Sequence, residues 1–153
     1  MATIIRRATL ADSEATAEVF LASRATMTYL PQLHSDEETR AFIARVVQEQ
    51  ETFVAVRNER VVGFAALNRH WLDHLYVHPT RFGTQTGTKL FSEVRFQRPD
   101  GFQFWVFQKN AGARRFYERH GCALVRMTDG SANEEKEPDA LYVWPATHIP
   151  EED

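Results

Sequence analysis

The chain is 153 residues long, 43% hydrophobic and 25% charged, the size and balance of one globular domain with a single core. Its net charge of −3 argues against a nucleic-acid partner, which ordinarily leaves a basic excess, and no apolar run approaches the roughly 18 residues of a membrane span. Arg6 and Arg7 have no apolar stretch behind them to make a secretory signal, and the single Cys122 cannot form an internal disulfide, so a cytoplasmic protein is expected.

In chain order, Thr3 to Ala8 reads as a first strand. Asp12 is placed to cap a helix with Ala15, Val19 and Ala22 along its inner stripe. Proline ends helices, so Tyr29-Leu30-Pro31-Gln32-Leu33-His34 marks a loop. Ser35 and Glu38 have the spacing of a capping box, opening a second helix that buries Phe42 with Val46 and Ile43 with Val47. Phe53–Val56 and Val61–Leu67 are strands of a hairpin turning at Arg57-Asn58-Glu59-Arg60, and Leu72–His78, closed by Pro79, is the third strand of the series. Helical spacing of Leu90, Phe91 and Val94 predicts a helix from Gly83 to about Phe96. Arg98-Pro99-Asp100-Gly101 is a turn before the apolar strand Phe102–Phe107. Ala111–His120 is a helix stopped by Gly121, a natural C′ residue. Cys122–Val125 and Ala140–Trp144 are the last strands, separated by the polar, aperiodic Thr128–Asp139. The order predicts one α/β domain over residues 1–153, with a mixed sheet and helices on both faces. Its parallel pair would be the strands ending at His78 and Phe107.

Between these two strands the chain runs Val77-His78-Pro79-Thr80-Arg81-Phe82-Gly83-Thr84-Gln85-Thr86-Gly87-Thr88-Lys89. A strand enters a glycine-bearing turn that opens a helix, where unpaired backbone N–H groups and the helix dipole suit a phosphate. The spacing is neither a Walker A loop nor a dinucleotide fingerprint, and by itself it fits a purely structural turn equally well.

Asn110-Ala111-Gly112-Ala113-Arg114-Arg115-Phe116-Tyr117-Glu118-Arg119-His120-Gly121 adds a second motif. Together the two resemble the GNAT acetyltransferase superfamily, which pairs a Pro-x-x-Gln/Arg-Gly-x-Gly-x-Gly/Ala loop with a later Asn-x-x-Ala-x-x-Phe-Tyr-x-x-x-Gly helix. The second motif matches at Asn110, Ala113, Phe116, Tyr117 and Gly121. The first keeps Gly83 and Gly87 but has Phe82 for the usual Gln or Arg and Gln85 for the middle glycine. Leu72-Asp73-His74-Leu75-Tyr76-Val77 and Asn133-Glu134-Glu135-Lys136 are similar to a bacterial branch of the family, and the element order follows the family fold along nearly the whole chain.

The resemblance implies a mixed, mostly antiparallel sheet with a central splayed parallel pair, and acetyl-CoA as co-substrate. Leu75, Tyr76 and Val77 would pair with the pantetheine arm as with an added strand and help polarise the thioester carbonyl. Asn110 and Phe116 would meet the arm, and Gly83, Thr84, Gln85, Thr86, Gly87 and Thr88 the pyrophosphate. Tyr117 falls where the family places a general acid beside the sulfur; packing against Phe116 is its structural alternative. For the base, Asp73 comes first, because strand alternation puts it on the face of Leu75. His34 is second and Glu134 with Glu135 third; a water chain would serve as well.

The implied activity is N-acetyltransfer to a primary amine by direct attack, the acceptor being a small molecule bound near Tyr29, His34, Glu134 and Glu135, or else a peptide amine. A CoA-binding sensor or interaction module on the same fold is the alternative. His70, His74 and His78 do not combine into one ligand face, so no metal is expected. Cys122 reads as a buried strand residue. A homodimer is open as the assembly.

Overall fold

The computed structural model describes residues 2–151. Seven strands and four helices follow the expected order: β1 (Ile4–Arg7), α1 (Ser13–Ala25), α2 (Asp36–Glu49), β2 (Glu51–Arg57), β3 (Arg60–Asn68), β4 (Trp71–Val77), α3 (Thr86–Gln97), β5 (Phe102–Phe107), α4 (Ala111–Arg119), β6 (Ala123–Met127) and β7 (Asp139–Trp144). The strands form one sheet in the order β1-β2-β3-β4-β5-β7-β6. Every neighbouring pair is antiparallel except β4 and β5.

Local chemistry explains most boundaries. At the start of α2 the Ser35 side chain accepts from the Glu38 N–H at 3.0 Å and the Glu38 carboxylate accepts from the Ser35 N–H at 2.8 Å, so the capping box forms as expected. The β2–β3 hairpin pairs Arg57 with Arg60 across Asn58 and Glu59, both at positive φ, as a two-residue primed turn requires. Gly121 ends α4 at φ 87°, the left-handed C′ conformation.

Four expectations are corrected. Asp12 does not cap α1. Its carboxylate accepts from the Thr9 N–H at 2.8 Å and pairs with Arg6 at 2.9 Å, and a single 3-10 turn, Leu10–Asp12, leads into the helix. The inner face of α1 is Thr16, Ala17, Val19, Phe20 and Ser23, with Ala15 and Ala22 only half-buried. α1 packs on both the sheet and α2, which widens and rotates its buried sector beyond a single stripe. On α2, Ile43, Val46 and Val47 are buried but Phe42 is 40% exposed, facing a cavity described below. The fourth correction is the start of α3. Gly83 is a loop residue at φ 75°, a 3-10 turn occupies Pro79–Arg81, and helix begins at Thr86.

The sheet has a core on each face. On one, α3 supplies Leu90, Phe91 and Val94 and α4 supplies Tyr117, against Phe53, Leu72, Phe102, Phe104 and Tyr142. On the other, Ala17, Val19 and Phe20 of α1 and Ile43 and Val47 of α2 cover Val54 and Phe64. Gly63 of β3 lets α3 approach closely: a Cβ there would lie 3.0 Å from Leu90 and 3.3 Å from Thr86. The first turn of α3 is thereby fixed against the sheet.

Candidate active site

The central strands meet at one register position, Trp71 with Gln103, supported by the Gln103 N–H donating to the His70 carbonyl at 2.9 Å. Beyond it they diverge, and the β5-facing edge of β4 pairs with no strand among the described residues. A cleft of about 910 Å³ opens in the gap, and Asp73, Leu75, Tyr76, Val77, Asn110, Phe116 and Tyr117 all line it.

The glycine loop closes one end. Gly83, Thr84, Gln85, Gly87 and Thr88 line the cleft; Thr86 does not. The Thr86 side chain is buried beneath the loop and hydrogen-bonds the Thr84 hydroxyl at 3.0 Å, while its N–H donates to that same hydroxyl at 3.3 Å. The first i→i−4 bond of α3 runs from the Lys89 N–H to Gln85. Gly87 and Thr88 therefore carry the helix-start N–H groups that no helical bond claims. At Gly87 a Cβ would stand 3.4 Å from the Phe116 ring.

Basic residues also line the cleft, one of them, Lys109, paired with Glu137 at 3.6 Å. Arg81, Lys109 and Arg119 line the cleft against one carboxylate, Asp73. Arg81 Nε is buried with no hydrogen-bond partner among the described residues, a donor suited to an anionic ligand. His120 also lines the cleft and ties α4 to α3, its Nδ1 bonding the Phe116 carbonyl at 2.7 Å and its Nε2 lying 3.4 Å from the Thr88 hydroxyl.

Asn110 is the N-cap of α4: its side-chain oxygen accepts from the Ala113 N–H at 3.2 Å. Tyr117 is 7% exposed, with ring centroids 4.4 Å from Phe104 and 5.3 Å from Phe116. Burial, and secondarily the Cys122 thiol, push its pKa up, keeping the phenol protonated at neutral pH. Cys122 itself is pushed up to about 12, chiefly by burial, which makes it an inert core residue.

Asp73 sits differently from the alternation argument. His74 pairs with Ala66 and Leu72 with Leu67, leaving Asp73 as the extra residue of a β-bulge. The period-two rule fails across such a bulge: Leu72 and Leu75 join the same core, and Asp73 accepts from Gln50 Nε2 at 3.0 Å beyond the end of α2.

A second cavity, of about 1070 Å³, lies between the end of α1, the loop after it, α2, and Glu134 with Glu135. It meets the cleft at Met27 and His74, which line both. His34, Glu134 and Glu135 belong to this second cavity, Tyr29 to the cleft. The second- and third-ranked base candidates are partners: His34 pairs with Glu134. Glu135 pairs with Arg24 at 3.3 Å. The Tyr29 hydroxyl is buried without a hydrogen-bond partner among the described residues. His74 is enclosed by Phe20, Phe42, Phe64 and Tyr76; burial, and secondarily Arg24, hold its pKa down at about 4, so the ring is neutral at pH 7.

An unpaired strand edge, a helix start and basic side chains thus share one cleft. The acetyltransferase (GNAT) domain family model matches residues 48–121, which span β2 through the Gly121 stop after α4. No curated protein sequence matches the chain. Among solved structures, apo YjaB of Escherichia coli is 21% identical, with a TM-score of 0.77 over 94% of this chain and 98% of that one. A GCN5-related N-acetyltransferase from Rhodopseudomonas palustris is 22% identical, with a TM-score of 0.77 over 94% and 95%. The PaiA N-acetyltransferase of Thermoplasma acidophilum, solved with coenzyme A, is 19% identical, with a TM-score of 0.72 over 94% and 98%. Residues 48–121 thus match the GNAT acetyltransferase domain, and the chain has the fold of GNAT N-acetyltransferases along nearly its whole length.

Proposed function

We propose that the protein transfers an acetyl group from acetyl-CoA to the primary amine of a small molecule by direct attack. The observation that carries this reading is the splayed β4–β5 pair, whose gap joins an anion-suited loop at one end to a second, roofed cavity at His74. The residues fit the co-substrate. The free edge of β4 at Leu75 and Val77 suits the pantetheine amides. Gly87 and Thr88, with Arg81 and Arg119, suit the phosphates. PaiA, which binds coenzyme A, shares the fold.

In the reaction the amine nitrogen bonds to the thioester carbonyl carbon and the C–S bond breaks. One proton leaves the nitrogen and one reaches the departing sulfur. Tyr117, a protonated phenol on the cleft wall, supplies the second. For the first, Asp73 acts through a water chain, because its bulge position turns it toward Gln50. Tyr29, His34, Glu134 and Glu135 shape the acceptor side. The decisive experiment measures thiol release from acetyl-CoA against a broad amine panel; no amine-dependent release, with acetyl-CoA bound, would favour a CoA-binding module.

A further inference from the structure

The second cavity holds an arginine in an unusual setting. Arg24, in the last turn of α1, lies with its guanidinium 5.1 Å from the Phe20 ring centroid and 5.7 Å from that of Phe107, beneath the gap between the central strands. Nε donates to the Tyr76 hydroxyl and Nη1 to Glu135, each at 3.3 Å. Nη2 has no hydrogen-bond partner among the described residues, and the side chain lines the cavity.

We propose that the acceptor amine carries a carboxylate, and that Arg24 binds it through its uncommitted edge: the substrates are amino acids or amines built like them. This rests on the acetyl-transfer reading above and narrows its substrate class. The charges around Arg24 support an anionic group. Of the carboxylates lining the cavity, Glu38 is held in the α2 capping box, Glu134 pairs with His34 and Glu135 with Arg24 itself; Asp36 lies in the exposed first turn of α2. The second cation, Arg45, lies 6.0 Å from the Phe42 ring centroid and makes no ion pair among the described residues. Two cations thus keep open donors, whereas three of the four carboxylates are already engaged. A guanidinium also presents a planar fork that matches a carboxylate.

Geometry links this anchor to the chemistry. Arg24 contacts the ring of Phe20, and Phe20 lies edge-on to His74 at 6.0 Å, where the cavity opens to the cleft. A carboxylate held at Arg24 brings an α-amine, one carbon away, toward that opening. The guanidinium charge favours the neutral form of a nearby amine, the form that attacks. The apolar walls, Phe20, Leu30, Leu33 and Phe42, suit the body of the acceptor.

The test is a calorimetric titration of each proteinogenic amino acid against its own primary amide, with CoA present. The amide keeps the amine and side chain and removes the negative charge. We expect at least one amino acid to bind about 10-fold or more tightly than its amide, a difference of about 1.4 kcal/mol. Arg24→Met should abolish that preference while acetyl-CoA affinity stays within about 2-fold. Should Arg24→Met fail to fold, Glu135→Gln retains the guanidinium and releases Nη1, and carboxylate binding should tighten; unchanged or weaker binding overturns the proposal. So does a panel in which no amino acid binds better than its amide, or a preference that survives Arg24→Met. Titration reads binding without turnover. An inactive protein that prefers acids sinks the transfer reading alone, and an active one indifferent to the carboxylate sinks this inference alone.

Discussion

Trp71 of β4 faces Gln103 of β5, and past this pair the two parallel strands separate. Gln103 is fully buried and its side-chain oxygen accepts from His148 Nε2 at 3.0 Å, so the apex of the gap is pinned from the C-terminal segment as well as by the sheet. A ligand lying in the gap completes the edge that β4 leaves unpaired. Acetyl-CoA and CoA should therefore raise the melting temperature, by an amount corresponding to about 2.7 kcal/mol at 100 times Kd. Differential scanning fluorimetry with calorimetric titration checks this, and no binding at millimolar ligand removes the donor assignment.

The loop should act through its backbone. In Gly87→Asp the new Cβ meets the Phe116 ring at an ordinary 3.4 Å, so the melting temperature should fall only modestly. The carboxylate, however, stands where phosphate is expected, at a helix start that lines the cleft. We expect acetyl-CoA affinity to drop at least about 10-fold, of order 1.4 kcal/mol. Equal affinity in wild type and variant would show the loop to be a turn and nothing more.

The Arg6–Asp12 pair gives a pH signature independent of the active site. The Arg6 hydrogen bonds hold the Asp12 carboxyl down at about 2, below its unfolded value near 3.9. A depressed carboxylate pKa stabilises the fold above the unfolded pKa, and that stabilisation is lost as pH falls through the folded pKa. Asp12→Asn should thus melt lower than wild type at pH 7, and the gap should close between about pH 4 and pH 2. Arg6 is 45% exposed, so solvent screening keeps the effect small. Melting curves across that range decide; a gap that persists at the acid end contradicts the assignment.

Much of the fold was legible in the sequence because its signals are local. The Ser35–Glu38 spacing dictates a capping box, Pro31 marks the loop between α1 and α2, and Gly121 stops a helix. The Asn110–Gly121 motif lies on one helix whose cleft-facing side follows from its period. The features that the sequence does not show depend on non-local pairing. Alternation along β4 could not reveal that Asp73 is a bulge residue, since a bulge is a relation between strands. Thr86 lies among cleft residues in sequence but turns inward, because Gly63 draws α3 onto the sheet. Arg81, Lys109 and Arg119 look like surface charges until the fold gathers them. Nothing in the spacing of Arg24 and Glu135, or of His34 and Glu134, announces that they pair.

Asp73→Asn retains the shape and can keep the Gln50 contact while removing basicity. If Asp73 accepts the amine proton through water, kcat should fall about 10-fold or more and the acidic limb of the pH–rate profile should change, with the Kd for acetyl-CoA constant. Overlaying profiles would exclude Asp73 and direct attention to the His34–Glu134 pair.

Tyr117→Phe tests the other proton. Phenylalanine fills nearly the same volume, so the contacts with Phe104, Phe91 and Phe116 should persist and the melting temperature should change little. What is lost is the hydroxyl. General acid catalysis contributes about 10²–10⁴-fold, equivalent to roughly 3–5 kcal/mol of barrier. Burial raises the Tyr117 pKa, which keeps the proton in place at neutral pH but also makes the phenol a weaker acid. The donated proton therefore has to follow the growing charge on sulfur rather than precede it. Water can replace the acid in part, so the expected fall in kcat is about 10-fold or more. The Kd for acetyl-CoA should be unaffected, because a proton delivered during bond breaking acts on the transition state alone. Single-turnover rates are the proper readout, since slow product release would mask the chemical step. If those rates match wild type across pH 6–9, Tyr117 belongs to the core with Phe104 and Phe116, and the sulfur takes its proton from solvent.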